Sequence, residues 1–378
     1  MDTLKGNLDI MKKINRSLIL DTIRSHQPLS RAQIAQRLKL SRSTVSSIVE
    51  ELLLKKLVVE LGYGSSTSEG GRRGLQLGFN PKSAFGIGLD IGGTKILVVI
   101  TDLDGSIEFR EKFPTTSNTD KIIEIIKQSI HKAGLSESDV IAMGVGVPGI
   151  TTKDGIVVDA PALKWTNLEL KSEMQANFDF PVFINNDVNC AALGERWLGS
   201  GENSDDIFFI AIGTGVGSAI VANGELIQGF DSRAGEIAYN ISETDIKEGQ
   251  ENKLGEFGVF EKKISGSALQ KHCNPPERLF TEYAKGSKAE TEIIENFILQ
   301  LSINIANVVN LLNPEFVIIG GGVSESMGVV IEKIQESVER LTPIKTKIGL
   351  ATLGGDAGGL GAIAYAFKEI EGFNMLGD

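Results

Sequence analysis

The sequence of 378 residues has little cysteine and no long apolar run. Its two cysteines, Cys190 and Cys273, are too few and too far apart for a disulfide framework, which is typical of a reducing compartment. No apolar stretch reaches the roughly 18 residues that a membrane span needs. The polar N-terminal segment also lacks the apolar core of a signal peptide. We therefore expect a cytoplasmic protein without membrane contact.

The rest of the composition is that of an ordinary soluble protein. Hydrophobic residues make up 41% of the chain and charged residues 23%. The length suffices for two or three domains with sizeable cores. The 43 glycines predict many tight turns.

Charge is distributed unevenly along the chain. Residues 1–80 contain 13 Lys and Arg against 7 Asp and Glu, a net charge of +6, although the whole chain has −11. The remainder therefore carries −17. A basic head on an acidic body predicts that only the head meets nucleic acid. The alternative is chance, because +6 over this length is modest.

Residues 8–54 contain three helical patterns. The first helix ends before Pro28, and its apolar stripe consists of Ile10, Ile14, Leu18, Ile19 and Ile23. Ser30 and Gln33 form a capping box that predicts the start of a second helix. Ser41 can cap a third helix, whose predicted buried face is Val45, Ile48, Val49 and Leu52.

The third helix and the segment after it point to DNA. The outward residues at the start of this helix are short or basic, which lets a backbone lie deep in a major groove. LVVEL and LQLGF predict two strands around a glycine-rich tip whose arginines can enter a minor groove. We predict a winged helix-turn-helix; the alternative is a three-helix bundle with an irregular loop. The predicted DNA contacts are Arg42, Ser43, Thr44, Ser47, Arg72 and Arg73.

Three glycine turns follow three apolar strands in the rest of the chain. GIGLDIGGTK (86–95) and IAIGTGVG (210–217) share one strand–turn plan, and FVIIGGG (316–322) ends a third strand. Glycines let backbone N–H groups approach a phosphate, and Asp90 can hold a metal-bound water beside it. One such turn is a weak signal. Three predict one nucleotide between two α/β domains; the alternative is a set of ordinary turns.

A carboxylate follows another predicted strand, in PVFINNDVNC (181–190). At this place Asp187 can accept a proton from a sugar hydroxyl while a phosphoryl group is transferred. The alternative is that Asp187 is the N-cap of the next helix. Both roles are compatible.

These motifs together resemble the ROK family of bacterial sugar kinases and sugar-responsive repressors. DIGGTK, GVGVPG, NND, GTGVG, AGE and GGDAGGLGA occur in the family's order over nearly the whole chain. The resemblance implies a sugar kinase/actin-like ATPase fold, with two α/β domains around a cleft. It assigns residues 1–79 to the winged head and 80–187 to a first α/β domain, joined by a C-terminal helix at 357–378. Residues 188–356 form the second α/β domain.

The same resemblance implies the ligand contacts. Asp187 corresponds to the catalytic base of the family's kinases. The implied sugar contacts are Asn186, Asp187, Glu236 and Glu261, of which the two glutamates could instead be surface charges. ATP, with Mg²⁺, is expected to contact Asp90, Gly92, Gly93, Thr94, Lys95, Gly213, Thr214, Gly215, Gly217, Gly321 and Gly322.

The family's structural zinc site does not match this chain. In the family, one histidine and three cysteines hold the zinc. The corresponding residues here are Tyr239, Asn252, Leu254 and Val259. Two cysteines in the whole sequence cannot form a Cys₃His site, so we expect no structural zinc. We expect apolar packing of Leu254, Val259 and Phe260 in its place.

Two polar sugar contacts of the family are also missing. Tyr239 replaces the histidine, and Ala162 replaces an asparagine. Each loss costs about 1 kcal/mol or more of hydrogen bonding, which predicts an altered sugar or an altered mode of binding.

The sequence thus leaves two functions open. The winged head favours a sugar-responsive repressor, a homodimer that binds operator DNA and a small sugar. The intact phosphate loops favour an ATP-dependent kinase for a hexose or N-acetylhexosamine that also carries a DNA-binding head.

Overall fold

A head and two five-stranded sheets make up the described chain, which comprises residues 2–64, 74–253 and 255–370 of the computed structural model. Side chains are described for these residues except 2–10 and 13. Within these ranges, no helix combines the length and the apolar character that crossing a membrane requires.

The head is a winged helix-turn-helix, as the sequence predicts. Its helices are α1 (Asp2–His26), α2 (Arg31–Leu38) and α3 (Arg42–Leu54). Its strands are β1 (Leu29–Ser30), β2 (Val58–Tyr63) and β3 (Leu75–Phe79), antiparallel in the order β1-β3-β2. The hairpin β2–β3 forms the wing, and its predicted DNA contacts Arg72 and Arg73 lie outside the described residues.

Local signals in the sequence explain where the head helices begin. The Gln33 N–H donates to Ser30 Oγ, and the Ser30 N–H donates to Gln33 Oε1 at 2.9 Å, which confirms the capping box. Ser41 Oγ accepts from the Thr44 N–H at 3.1 Å and caps α3. The four residues predicted for the buried face of α3 are all buried.

The predicted apolar stripe of α1 is wrong in part. Ile19 and Ile23 are fully buried, but Ile14 is 52% exposed and Leu18 is 42% exposed. α1 packs against α3 and β3 with the face that includes Leu20, and this face excludes Ile14 and Leu18. The prediction is wrong here because the apolar stripe of α1 is wider than the face that contacts the rest of the head.

The two large sheets repeat one topology. The first has the order β11-β7-β4-β5-β6 and the second the order β14-β13-β12-β15-β16. In each, three antiparallel strands are extended by two parallel ones. The strands of the first sheet are β4 (Phe85–Ile91), β5 (Lys95–Asp102), β6 (Ile107–Pro114), β7 (Val140–Val147) and β11 (Val182–Asn186). Those of the second are β12 (Ile207–Ile212), β13 (Val216–Ala222), β14 (Glu225–Leu226), β15 (Phe316–Gly320) and β16 (Lys347–Leu350).

The remaining elements cover these sheets. A third, small sheet has the order β10-β9-β8 and contains β8 (Ile150–Thr151), β9 (Val157–Ala160) and β10 (Trp165–Leu168). The helices of the body include α4 (Thr119–Lys132), α5 (Leu170–Gln175), α7 (Glu243–Lys247), α8 (Glu261–Ile264), α9 (Gly266–Gln270) and α10 (Glu277–Ala284). The others are α6 (Asp187–Leu198), α11 (Lys288–Leu312), α12 (Ile331–Leu341) and α13 (Ala357–Glu369).

Helices α6 and α13 cross at the centre of the body. α6 contacts strands of both sheets, and α13 packs against α6 and against β4 and β7. Glycines make this close approach possible: a Cβ at Gly361 would lie 1.5 Å from the Cys190 carbonyl oxygen. A Cβ at Gly144 would lie 1.8 Å from the Ala362 carbonyl oxygen. Gly144 of GVGVPG thus meets Ala362 of GGDAGGLGA, and Gly361 of GGDAGGLGA meets α6.

These contacts bear on the predicted domain boundaries, which stay predictions. The boundary at residue 187 coincides with the first residue of α6. The predicted C-terminal helix begins at Ala357, packs on the first sheet and ends at Glu369; residues 371–378 are not described.

A buried glutamate connects the two crossing helices. Glu195 of α6 is fully buried and accepts hydrogen bonds from the backbone N–H groups of Thr352 and Leu353, at 2.8–3.1 Å. The Ser200 N–H also donates to it at 2.9 Å. Because Thr352 and Leu353 lie just before α13, Glu195 fixes the entry of that helix.

The head contacts the body at the hairpin turn between β5 and β6 and through buried side chains. Arg24 of α1 donates to Asp104 at 2.8 Å in the turn between β5 and β6. In the same turn, a Cβ at Gly105 would lie 2.5 Å from the side chain of Leu198, the last residue of α6. One continuous cluster of buried side chains joins the head core to α6 and α13.

Candidate functional site

Asp90 and Asp187 lie side by side where the first sheet meets α6. Asp90 pairs with Gly146 across β4 and β7, and a Cβ at Gly146 would lie 3.4 Å from Asp187 Cα. The carboxyl of Asp90 lies against Gly358 in the first turn of α13, where a Cβ would be 2.7 Å from Asp90 Cγ. Gly358 thus leaves room for a carboxyl group that a larger residue would displace.

The surroundings of these two aspartates favour their protonated forms. Burial raises the pKa of Asp90 to about 6, against the opposing charge of Lys95. Burial, with a second contribution from the charge of Asp90, raises the pKa of Asp187 to about 7. Two neighbouring carboxyl groups of this kind titrate as a pair near neutral pH. A carboxylate with such a pKa is suited to accept a proton from a hydroxyl group.

Asn186, not Asp187, is the N-cap of α6. Asn186 Oδ1 accepts from the N–H groups of Val188 and Asn189, at 2.9 and 3.1 Å. Its amide nitrogen donates to the Gly149 carbonyl at 3.0 Å. The alternative role for Asp187 as the cap is therefore wrong. Asn186 fixes the first turn of α6 against the GVGVPGI segment and so positions Asp187.

Glu261 is a buried clamp. Its Oε1 accepts from the Val216 N–H at 2.8 Å, and its Oε2 accepts from the Gly258 N–H at 2.9 Å. Val216 belongs to the second glycine hairpin, and a Cβ at its neighbour Gly217 would lie 2.7 Å from the Val188 side chain. The hairpin thus contacts both Glu261 and the first turn of α6. The alternative that Glu261 is a surface charge is inconsistent with its 9% exposure.

Glu236 is exposed and lies near Glu261 and Arg233. Partial burial of its carboxyl group raises the pKa of Glu236. The charge of Arg233 opposes this rise, and the charge of Glu261 adds to it. The structure therefore brings together the two glutamates that were predicted to contact sugar. Their role as sugar contacts stays a prediction.

In the segment that corresponds to the family's zinc site, the side-chain amide of Asn252 joins two stretches of backbone. Asn252 Nδ2 donates to the Tyr239 carbonyl at 2.6 Å, and the Val259 N–H donates to Asn252 Oδ1 at 2.9 Å. Val259 and Phe260 are buried, as expected of apolar packing; the third member of that prediction, Leu254, is not described. The hydrogen bonds of Asn252 were not predicted from the sequence.

The predicted phosphate loops are tight turns. The Gly92 N–H donates to the Lys95 carbonyl, and the Gly213 N–H donates to the Gly215 carbonyl, both at 2.9 Å. A Cβ at Gly213 or Gly322 would meet no atom within 4 Å. The side chains that accompany these glycines, those of Thr94, Lys95 and Thr214, are exposed. Gly213 and Gly322 thus present open backbone, and the contact of the turns with ATP stays a prediction.

Two glycines of these turns lie close to other residues. Gly93 faces Ala162, with a Cβ distance of 3.6 Å, so the residue that replaces the family's asparagine lies beside the first turn. Gly321 has φ of +85°, and a Cβ there would lie 2.5 Å from the Ile212 carbonyl oxygen. Gly321 therefore packs on the end of β12, whereas the space beside Gly322 is open.

The predicted DNA-contacting residues of α3 are presented at its start. Arg42, Ser43 and Ser47 are exposed, and Thr44 is partly exposed. The hydroxyls of Ser43 and Thr44 lie 2.8 and 2.7 Å from Ser41 Oγ and so belong to the cap. Arg42 and Ser47 have no such tie, and they are the better candidates for base contacts.

Three residues near the site escaped the sequence analysis: Arg233, Asn252 and Gly358. The motif GGDAGGLGA contains Gly358 and could have signalled a close approach. The alignment with the family's zinc ligands could have signalled Asn252, because an amide can replace a metal bridge. No pattern in the sequence indicates that Arg233 lies near Glu236.

Comparison with known proteins agrees with these observations. The ROK family pattern matches residues 86–369, and the MarR family pattern matches residues 13–73. A xylose repressor from Caldicellulosiruptor bescii is 32% identical, over 97% of this chain and 99% of its own length. A glucokinase from Halalkalibacterium halodurans is also 32% identical, over 73% of this chain and 92% of its own.

A solved structure shares the whole arrangement. The crystal structure of a ROK family transcriptional regulator, a homologue of the Escherichia coli MLC protein, superimposes with a TM-score of 0.80. The superposition covers 94% of this chain and 96% of that one, at 22% sequence identity, and supports the fold. The family pattern covers most of the chain, and the xylose repressor is similar over nearly its full length. The chain belongs to the ROK family.

Proposed function

We propose that this protein is a sugar-responsive transcriptional repressor. One observation carries the proposal: a winged head with an exposed α3 start stands on a ROK body that keeps the residues predicted to contact sugar, Asn186, Asp187, Glu236 and Glu261. The full-length similarity to a xylose repressor supports it, and makes xylose the first sugar to test.

Operator binding is proposed to involve two heads. A homodimer places two α3 helices in successive major grooves, with half-sites about 34 Å apart. Arg42 and Ser47 of each head contact base edges, and the wing follows the adjacent backbone. Sugar binds between the two sheets and changes the relative position of the heads. By linkage, DNA must weaken sugar binding by the same factor by which sugar weakens DNA binding.

Fluorescence anisotropy with DNA from the gene's own upstream region tests the repressor. We expect xylose, among a panel of pentoses, hexoses and amino sugars, to weaken DNA binding. We expect Arg42→Ala to weaken it about 5- to 100-fold, because a specific contact to a base contributes about 1–3 kcal/mol. The control Arg110→Ala changes a residue on β6 and should leave DNA binding unchanged. Equal DNA affinity of wild type and Arg42→Ala at every salt concentration would contradict the assignment of α3.

A second function is ATP-dependent sugar phosphorylation. It is favoured by the proximity of the Asp90 and Asp187 side chains. MgATP between the glycine turns would supply the phosphoryl group. Asp187 then accepts the proton of a sugar hydroxyl, and Asn186, as the N-cap of α6, keeps Asp187 in place. Tyr239 and Ala162 remove two polar partners of the family's sugar site, and a misplacement of about 1 Å costs roughly a hundredfold in rate. We therefore expect sugar binding to be retained better than phosphorylation.

A coupled ADP-release assay tests the kinase. Turnover that Asp187→Asn abolishes would make phosphorylation an activity of the protein. No turnover, together with sugar-dependent release of DNA, would leave the repressor alone. If Asp187→Asn changes neither sugar affinity nor activity, the site is elsewhere.

A further inference from the structure

We infer that the Asn252 side chain takes over the positioning task of the family's zinc, and holds Glu236 and Glu261 in place for sugar. This inference rests on the proposed sugar site. It concerns a positioning residue, since Asn252 itself is not proposed to contact sugar.

The residues at the four zinc positions do not fit a zinc ion. Structural zinc is bound by thiolates and imidazoles. Tyr239, Asn252 and Val259 provide a phenol, an amide and a hydrocarbon, and residue 254 is a leucine. The described residues also contain no group of three or more His, Cys, Asp or Glu side chains that could hold a metal ion.

One amide instead joins two of the same positions. A primary amide has both donors and an acceptor, so it can connect a carbonyl group to an N–H group. Asn252 does this with the Tyr239 carbonyl, at 2.6 Å, and with the Val259 N–H, at 2.9 Å. It occupies a ligand position of the family and bonds the backbone at two others. A short covalent side chain thus spans the place of the metal.

Each end of this amide bridge leads to a carboxylate. Tyr239 is the last residue of a 3-10 turn (Ile237–Tyr239) that follows Glu236 directly. On the other side, Val259 follows Gly258, whose N–H donates to Glu261. The two segments touch, because a Cβ at Gly258 would lie 2.1 Å from the Ala238 carbonyl oxygen.

The bridge also acts on the second glycine hairpin. Glu261 accepts from the Val216 N–H at 2.8 Å, so loosening of residues 258–261 releases the start of β13. Loss of Asn252 should therefore loosen the link between the backbone segments of Glu236 and Glu261, while both carboxylates remain chemically unchanged. The head, which contacts the body at the turn of Asp104, should be unaffected.

Calorimetric titration of the full-length chain with xylose tests the inference. We expect Asn252→Ala to weaken xylose binding about tenfold, the loss of roughly two hydrogen bonds. DNA affinity without sugar should stay within twofold of wild type. Gln335→Ala is a matched control, because the Gln335 amide also bridges backbone, from the Ile348 N–H to the Thr346 carbonyl, away from the site. Gln335→Ala should bind xylose as wild type does.

A metal-restoring variant gives the stronger test. The fourfold change Tyr239→His, Asn252→Cys, Leu254→Cys and Val259→Cys recreates the family's ligand set. With zinc, this variant should bind one ion per chain and bind xylose within about threefold of wild type. Removal of the zinc by a chelator should then weaken it as Asn252→Ala does, whereas wild type should ignore the chelator.

Hydrogen–deuterium exchange separates this inference from the choice of sugar. Asn252→Ala should speed exchange of the backbone N–H groups in residues 237–239 and 258–261, and of Val216. If wild type fails to bind xylose but exchange rises in this way, the proposed sugar is wrong and the bridge stands. Unchanged exchange and unchanged xylose affinity in Asn252→Ala would overturn the inference. Equal weakening by Gln335→Ala would do so too.

Discussion

At the scale of single residues, the pKa of Asp187 depends on burial and on a neighbouring charge. Burial and the charge of Asp90 both raise it, to about 7. In the unfolded chain the same group has its ordinary pKa, near 3.8. Between these values the folded protein binds more protons than the unfolded chain, so the free energy of unfolding falls as pH rises. The site is therefore held at some cost in stability at neutral and alkaline pH.

Replacing Asp187 by Asn should remove this cost. The amide cannot ionise, so we expect Asp187→Asn to be more stable than wild type at pH 8, on the order of 1 kcal/mol. The advantage should disappear toward pH 4. Thermal unfolding from pH 4 to 8 measures it, with Asp154→Asn in an exposed turn as control. A parallel pH dependence of wild type and Asp187→Asn would show that the pKa of Asp187 is ordinary.

At the scale of elements, the crossing of α6 and α13 depends on glycine. We expect Gly361→Ala to lower the free energy of unfolding by about 1–3 kcal/mol or more, because its Cβ would meet the Cys190 carbonyl at 1.5 Å. Gly328→Ala is the control, since a Cβ there meets no atom within 4 Å. Urea unfolding of both variants measures the difference. Gly361→Ala as stable as Gly328→Ala would mean that the helices can move apart without loss.

The sequence predicted elements better than the contacts between them. Capping by Ser30 and Ser41 and the glycine turns are local, so neighbouring residues suffice to indicate them. The clamp from Glu261 to Val216 spans 45 residues, and Glu195 reaches Thr352 over 157 residues. The hydrophobic periodicity of the sequence does not indicate hydrogen bonds between residues so far apart. The order of the family motifs predicted a cleft between two domains. It did not predict the bridge of Asn252, because the partners of Asn252 are backbone atoms.

At the scale of the whole molecule, the head and the candidate sugar site are connected through α6. The helix begins at Asp187, beside Asp90, and ends at Leu198, against the turn that contains Asp104. Asp104 in turn contacts Arg24 of the head at 2.8 Å. We therefore expect a shift of α6 on sugar binding to reach the head at this turn, beside the continuous buried cluster that also joins them.

Cutting this contact should uncouple the two ligands. We expect Asp104→Ala to keep its affinities for DNA alone and for sugar alone within about threefold of wild type. The factor by which sugar weakens DNA binding should fall about 2- to 30-fold, the usual range for residues that carry coupling. DNA titrations with and without xylose measure this factor.

Glu111→Ala provides the control for the same hairpin. Glu111 pairs with Lys132 at 2.6 Å within the first sheet domain, and does not reach the head. Full sugar response in Asp104→Ala would show that the signal passes elsewhere, for instance through the continuous apolar core.

The length of α6 has a geometric consequence. Its 12 residues make a rod about 18 Å long, and each residue adds about 100° of rotation. A single residue inserted in the middle of α6 would keep both ends helical, yet turn Leu198 away from Gly105 while Asp187 stays in place. We therefore expect this insertion to separate the response of the DNA-binding head from that of the cleft.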